Sequence, residues 1–94
     1  MQLFRHKNFK KQYQKLNADQ QASVDEAILL FYKDPFDPKL RNRALKGKYN
    51  NCNSIDAAFD LRIIFVQEKN YVVVVLLKVG SHNQLYWKSW WLPV

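Results

Sequence analysis

Residues 59–79 read FDLRIIFVQEKNYVVVVLLKV. Alternation in the first eight places Phe59, Leu61, Ile63 and Phe65 on one face and Asp60, Arg62, Ile64 and Val66 on the other, because successive strand side chains point to opposite sides. The last nine, residues 71–79, are apolar on both sides, as a central strand is, and only Lys78 interrupts them near the exit. QEKN between the two predicts a hairpin loop. A central strand needs neighbours on both edges, so the fold must contain more strands than these two.

Working outward, shorter strands are expected over residues 44–49 and 53–57, and a first strand over residues 2–5. Phe9, Tyr13 and Leu16 fall at i, i+4, i+7 and predict a helix over residues 8–16 with one buried face. Asn17 followed by Gln20 resembles a capping box. Val24, Ala27, Ile28 and Phe31 then carry a second helix that should end near Asp34, before Pro35. The two helices should form a hairpin. One strand, two helices and a run of antiparallel strands define an α+β arrangement with the helices on one sheet face and the other face free for function.

Ninety-four residues make one domain, residues 1–94, with room for one small core. Residues 87–94, WKSWWLPV, form an apolar extension holding all three tryptophans, either closing a core edge or offering a patch to a partner. The single cysteine, Cys52, has no disulfide partner and no metal-spaced companion, which fits a reducing, cytoplasmic setting. The N-terminus turns basic too early for a signal peptide, and the apolar run at residues 72–77 is too short to span a bilayer. A soluble protein with no membrane association is expected.

Fifteen Lys and Arg against eight Asp and Glu give +7; residues 1–48 hold eleven bases and five acids, so +6 of it lies in the first half. Two stretches carry five bases and no acid: Arg5, Lys7, Lys10, Lys11, Lys15, and Lys39, Arg41, Arg43, Lys46, Lys48. Such fields favour a polyanion through steering and counterion release, although a basic run is often only a solvated face. Lys11 and Lys15, with Arg43, Lys46 and Lys48, are the candidate RNA-binding residues.

No phosphate loop, zinc spacing, HExxH or EF-hand loop is present, so no cofactor and no metal is expected. The strand half instead holds Asp56, Asp60, Arg62, His82 and Tyr86. Asp60 and Arg62 on one face read equally as a surface ion pair or a catalytic pair. His82 and Tyr86, in KVGSHNQLYW at residues 78–87, read as turn residues or as groups that handle a proton. Together they say more. Cutting RNA without a metal requires a group to take the ribose 2′-OH proton, a cation for the phosphorane and an acid for the departing 5′ oxygen. Carboxylate, guanidinium and an imidazole, which ordinarily titrates at about 6.5, supply those three. A tyrosine can bond phosphate or stack on a base.

The strings RALKGKY, NSIDAAFDLRIIF and KVGSHNQLY resemble the RelE/YafQ-type toxins of bacterial toxin–antitoxin pairs, over residues 2–86; GSHNQLY is similar to the GTHxxLY/F segment of the YafQ-like branch. The resemblance implies the compact microbial-ribonuclease (RelE-like) fold and ribosome-dependent cleavage of mRNA. It also implies a cognate acidic antitoxin that joins the toxin in a hetero-oligomer. By the same resemblance the family's late histidine falls on His82, its aromatic partner on Tyr86, its strand carboxylate on Asp60 and its strand arginine on Arg62. A further polar catalytic position falls near Asp56. Arg43 stands where the branch commonly has histidine, and arginine binds phosphate but cannot shuttle a proton near neutrality. Asp60 or Asp56 is then the expected base and His82 the expected acid. The other reading is a toxin-fold protein without ribonuclease activity, a ParE-like gyrase inhibitor or an antitoxin-binding partner only.

Overall fold

The computed structural model describes residues 1–86; the tryptophan-rich segment at residues 87–94 lies outside the described residues. Its elements run β1 (Gln2–Arg5), α1 (Lys7–Gln14), α2 (Ala18–Lys33), β2 (Arg43–Ala44), β3 (Asn53–Ala58), β4 (Leu61–Glu68), β5 (Val73–Gly80) and α3 (His82–Tyr86), with single 3₁₀ turns at Pro38–Leu40 and Gly47–Tyr49. The five strands form one sheet in the order β1-β5-β4-β3-β2. β1 is parallel to β5 and the other neighbours are antiparallel. This is the expected α+β layering, and β5, apolar on both sides, lies inside the sheet.

The helix hairpin forms where the sequence places it. Asn17 caps α2 by a complete capping box, its side chain accepting from the Gln20 N–H at 2.8 Å while Gln20 Oε1 accepts from the Asn17 N–H at 3.0 Å. The helix stops at Lys33, ahead of Pro35. Phe9 of α1 and Val24, Ala27, Ile28 and Phe31 of α2 pack on Ile55, Leu61, Ile63, Phe65, Val74, Leu76 and Val79 of the sheet. Phe31 meets Phe65 edge to face, ring centroids 4.9 Å apart.

Two offsets in the sheet decide what faces away from the helices. The β4–β5 register shifts between Ile64 and Phe65, where Leu76 pairs with Phe65 and Lys78 with Ile64, leaving Leu77 as the extra residue. Strict alternation from Val74 and Leu76 would drive Lys78 into the core; the bulge sends Val79 there instead and puts Lys78 on the open face. A second shift lies in β3 between Asp56 and Ala58, with Ala57 as the extra residue. Past the end of β1, the Val79 N–H is satisfied by Gln12 Oε1 at 2.9 Å.

The structure corrects several expectations. Only Arg43–Ala44 of residues 44–49 and their surroundings is strand; Gly47–Tyr49 is a 3₁₀ turn. The second sheet face is partly covered, since Tyr49, Ile64 and Leu85 make a small second core with Leu45, Cys52 and Tyr86 at its margin. Phe59, placed by alternation with Leu61 and Ile63, is fully exposed, because β4 begins only at Leu61. Among the described residues no helix is long and apolar enough to cross a membrane.

Substituting Asn17→Ala removes one half of the α2 capping box and is expected to cost about 1 kcal/mol, read as a lowered urea midpoint with an unchanged slope.

Candidate active site

The open face of the sheet gathers most of the chemically capable residues at the end where β3, β4 and β5 meet α3. Asp56 of β3 pairs directly with Arg62 of β4, and Arg62 with Gly80 of β5. Three guanidiniums surround the Asp56 carboxylate: Arg43 Nη2 at 3.2 Å and Arg62 Nε at 3.5 Å on Oδ1, and Arg41 Nε at 3.7 Å on Oδ2. Asp56 is 17% exposed and Arg62 27%, whereas Arg41 is 74% exposed, so solvent screens the Arg41 pair most. Arg43 Nη1 also donates to the Arg41 carbonyl at 2.8 Å, which fixes its fork toward Asp56.

Arg62 has a second partner. Its Nη1 lies 2.6 Å from His82 Nδ1. A guanidinium can only donate, so Nδ1 accepts and the ring hydrogen sits on Nε2. Asp60 approaches the same residue from the other side, its Oδ1 accepting from the His82 backbone N–H at 3.0 Å. Asp60 and Arg62 therefore form no ion pair with each other on a strand. Asp60 stands in the turn before β4 with φ +54°, a left-handed conformation that aspartate tolerates better than most residues, and both groups converge on His82.

His82 opens α3, a helix that the sequence reading treats only as a turn. A local signal for it exists: Ser81 and Gln84 form a capping box, Ser81 Oγ accepting from the Gln84 N–H at 3.2 Å and Gln84 Oε1 from the Ser81 N–H at 2.8 Å. Gly80 leaves room for it, since a Cβ there would lie 2.8 Å from Gln84 Oε1. One helical turn places the Tyr86 ring 4.7 Å from the His82 ring, and Tyr86 in turn meets Tyr49 edge to face at 5.6 Å. Tyr49 anchors α3 by donating to the Leu85 carbonyl at 2.7 Å.

Burial pushes the Tyr86 phenol up from the ordinary tyrosine value, against the pull of Arg62 and Arg43. Tyr86 therefore acts near neutrality as a protonated phenol. Burial also raises Tyr49, with Lys48 opposing it, and raises the Cys52 thiol, with Lys78 opposing it, so Cys52 is held as an unreactive thiol.

The depression beside this cluster has a volume of about 660 Å³ and is lined by Lys39, Arg41, Asp56, Asp60 and Arg62, with Phe59 on its wall. Arg43, Lys46 and Lys48 follow in the segment leading to Tyr49; Lys48 Nζ lies 5.7 Å from the Tyr49 ring centroid. Lys11 and Lys15 are not brought here, because α1 packs on the helical side; Lys15 lines a separate groove with Gln12, Gln20 and Gln84. Sequence reasoning left out Lys39 and Arg41, which line the depression, and Lys78, whose Nζ sits 5.4 Å from the Tyr49 ring centroid. Among the described residues no group of three or more His, Cys, Asp or Glu converges as metal ligands would.

A five-stranded sheet with a helix hairpin on one face is the fold that the chain shares with solved RelE/YafQ-family toxins. Residues 1–87 match the model of the YafQ family, described as the bacterial toxin of a type II toxin–antitoxin system, and the chain belongs to that family. It is similar to a copper-bound mutant toxin from Helicobacter pylori, 31% identical over 90% of this chain and 98% of that one, with a TM-score of 0.73. It shares its fold with YafQ from E. coli strain BL21(DE3), 11% identical over 89% of this chain and 96% of that one, TM-score 0.74. The RelBE2 toxin–antitoxin complex from Mycobacterium tuberculosis shares it too, at 16% identity over 86% of this chain and 96% of that one, TM-score 0.71. No curated protein sequence matches the chain.

Tyr13, hydrogen-bonded to Asp25, the buried Tyr49 and the partly buried Tyr86 all have phenol pKa values above the ordinary 10.0. Their protonated forms favour the fold, so this contribution is complete below about pH 10 and is lost as pH rises through the folded values. The melting temperature should fall on the alkaline side of pH 10. Tyr49→Phe should flatten that slope while lowering stability at pH 7 by about 1 kcal/mol, because the buried Leu85 carbonyl loses its donor; thermal melts followed by circular dichroism from pH 7 to 11 read both.

Proposed function

We propose that this toxin is an endoribonuclease that cuts mRNA on the ribosome, in the cytoplasm, by attack of a ribose 2′-OH on the adjacent phosphate. The observation that carries the reading is Arg62, held between Asp56 and His82 at the edge of a depression rich in cations. Lys39, Arg41, Arg43 and Arg62 face Asp56 and Asp60, four bases to two acids, an excess of two positive charges where a phosphodiester would bind.

The roles follow from the contacts. Asp56, engaged by three arginines, is occupied as an anion that spaces the guanidiniums; Asp60 lines the depression, accepts from the His82 N–H by Oδ1 and is in no arginine pair among the described residues, which makes it the better base. Asp60 takes the 2′ proton as the 2′-O–P bond forms. Arg62 and Arg43 turn from Asp56 to the phosphorane oxygens. As Arg62 leaves the imidazole, Nδ1 takes a proton from solvent, and the ring is an imidazolium where the 5′ oxygen departs. His82 Nε2–H gives its proton to that oxygen as the P–O5′ bond breaks, leaving a 2′,3′-cyclic phosphate. Tyr86, a phenol flanked by the His82 ring, holds the imidazole plane and offers its hydroxyl to the phosphate.

Lys46 and Lys48 extend the cationic surface along the approach of the RNA, and Lys11 and Lys15 supply a separate basic face that suits ribosomal RNA. The basic chain also implies an acidic antitoxin as its partner in a hetero-oligomer. Solved relatives are described as complexes of this kind, RelBE2 from Mycobacterium tuberculosis and archaeal RelE–RelB from Pyrococcus horikoshii OT3. The single domain extends over residues 1–94 in this reading, with residues 87–94 as an added apolar segment.

Induced expression should arrest growth with mRNA cut inside codons. His82→Ala and Asp60→Ala, each folded by circular dichroism, should lower cleavage by on the order of 10²–10⁴. Asp60→Asn separates two roles: it keeps an oxygen for the His82 N–H but cannot take a proton, so it should be as inactive as Asp60→Ala. Intact mRNA during arrest would replace this reading with a toxin of the same fold that acts without RNA cleavage.

A further inference from the structure

Phe59 is more exposed than any other large apolar side chain among the described residues, at 101%. Exposure alone decides nothing, since single surface hydrophobics are common. Its company is the informative part. Leu29, Tyr32 and Phe36 lie exposed on or just beyond α2, with Phe36 resting on Tyr71 at 5.1 Å, and Phe4 lies on β1; none of these lines the depression. Phe59 does, beside Lys39, Arg41, Asp56, Asp60 and Arg62, and among the described residues no ring packs against it.

The turn that presents it is short and tied down. Ala58 pairs with Leu61, so Phe59 and Asp60 alone make the bend between β3 and β4. Asp60 sits at φ +54° and its carboxylate is bonded to the His82 N–H. The same two-residue bend therefore carries an unpartnered aromatic ring at its first position and the anchor of His82 at its second. An aromatic face held open among guanidiniums and a lysine suits a nucleobase whose phosphate those cations hold. A fixed platform also saves the ordering cost that a mobile one would incur on binding.

We infer that Phe59 is a stacking platform for a base of single-stranded RNA, seated next to the phosphodiester held by Arg62. The inference rests on the ribonuclease reading above and names the feature by which that site orders its substrate. A base stacked on Phe59 is set in register with His82 through Asp60, so the platform helps select which phosphodiester reaches the imidazole.

The test uses the full chain and ribosomes programmed with mRNA whose A-site codon carries 2-aminopurine and 2′-O-methyl groups, so that stacking is read as fluorescence quenching without cleavage. Wild type and Phe59→Trp should quench. Phe59→Ala and Phe59→Leu should not, and on unmodified mRNA both should cleave on the order of tenfold less efficiently, with a broader choice of cut positions. Equal quenching by wild type and Phe59→Ala would overturn the inference, as would full quenching by Phe59→Leu, which keeps apolar area without a π face. Loss of affinity for an acidic partner protein, with RNA quenching unchanged, would assign Phe59 to a protein contact and overturn it too. Cleavage of unmodified mRNA by wild type is scored separately: its absence with Phe59-dependent quenching intact would sink the ribonuclease reading and leave the platform standing.

Discussion

The edge-to-face contact of Phe31 with Phe65 determines which side of the sheet is interior. Phe65 is buried on β4, and with period two its neighbours Ile63 and Leu61 must follow it beneath the helices. Arg62 and Ile64 are then obliged to face the other way. The facing of Asp56 and Arg62 follows from that choice, because β3 is registered on β4 with Asp56 opposite Arg62. A slip of one residue in β4 would bury a guanidinium under α2, at a desolvation cost the small core could not bear.

Within the site, one carboxylate organises three like charges that would otherwise repel one another. Asp56 holds Arg41, Arg43 and Arg62 together on one carboxylate. A phosphate would meet guanidiniums already gathered. The histidine is fixed by different means, from its backbone by Asp60, from its ring by Arg62 and from its helix by the Ser81–Gln84 box. These supports come from two separate parts of the chain, the start of β4 and the start of α3, and they meet beside Gly80, where a side chain would collide with Gln84.

Much of this was legible in the residues. The capping box at Asn17, the stop before Pro35, the buried stripe of α2 and the core face of β4 are local patterns with local causes, and they stand as read. What escaped was set by pairing. Residues 71–79 are apolar at nearly every position, so no alternation reveals the bulge at Leu77 or shows which face Lys78 takes. Phe59 fits the alternation of residues 59–65 and is nonetheless outside, because Phe59 and Asp60 form the bend and β4 begins only at Leu61. Asp56, Asp60, Arg62, His82 and Tyr86 could be nominated by type and resemblance, but Arg62's double engagement depends on distances across two strands and a helix. Lys39 and Arg41 were visible only as members of a basic run, since nothing local tells a lysine at the rim of a depression from one in open solvent.

The position of β1 has a consequence for how the molecule comes into being. Among the described residues β1 has β5 as its one neighbour in the sheet, so Gln2 to Arg5 wait for Val73 to Leu76 before they can pair. A contact of that sequence separation closes a long loop, and such closures slow folding. The β3–β4–β5 meander can assemble from near neighbours, whereas the parallel seam is completed only after the meander exists. β1, made before the other strands, is thus among the last to be seated. During that interval one edge of β5 is open, and whatever pairs with it competes with β1.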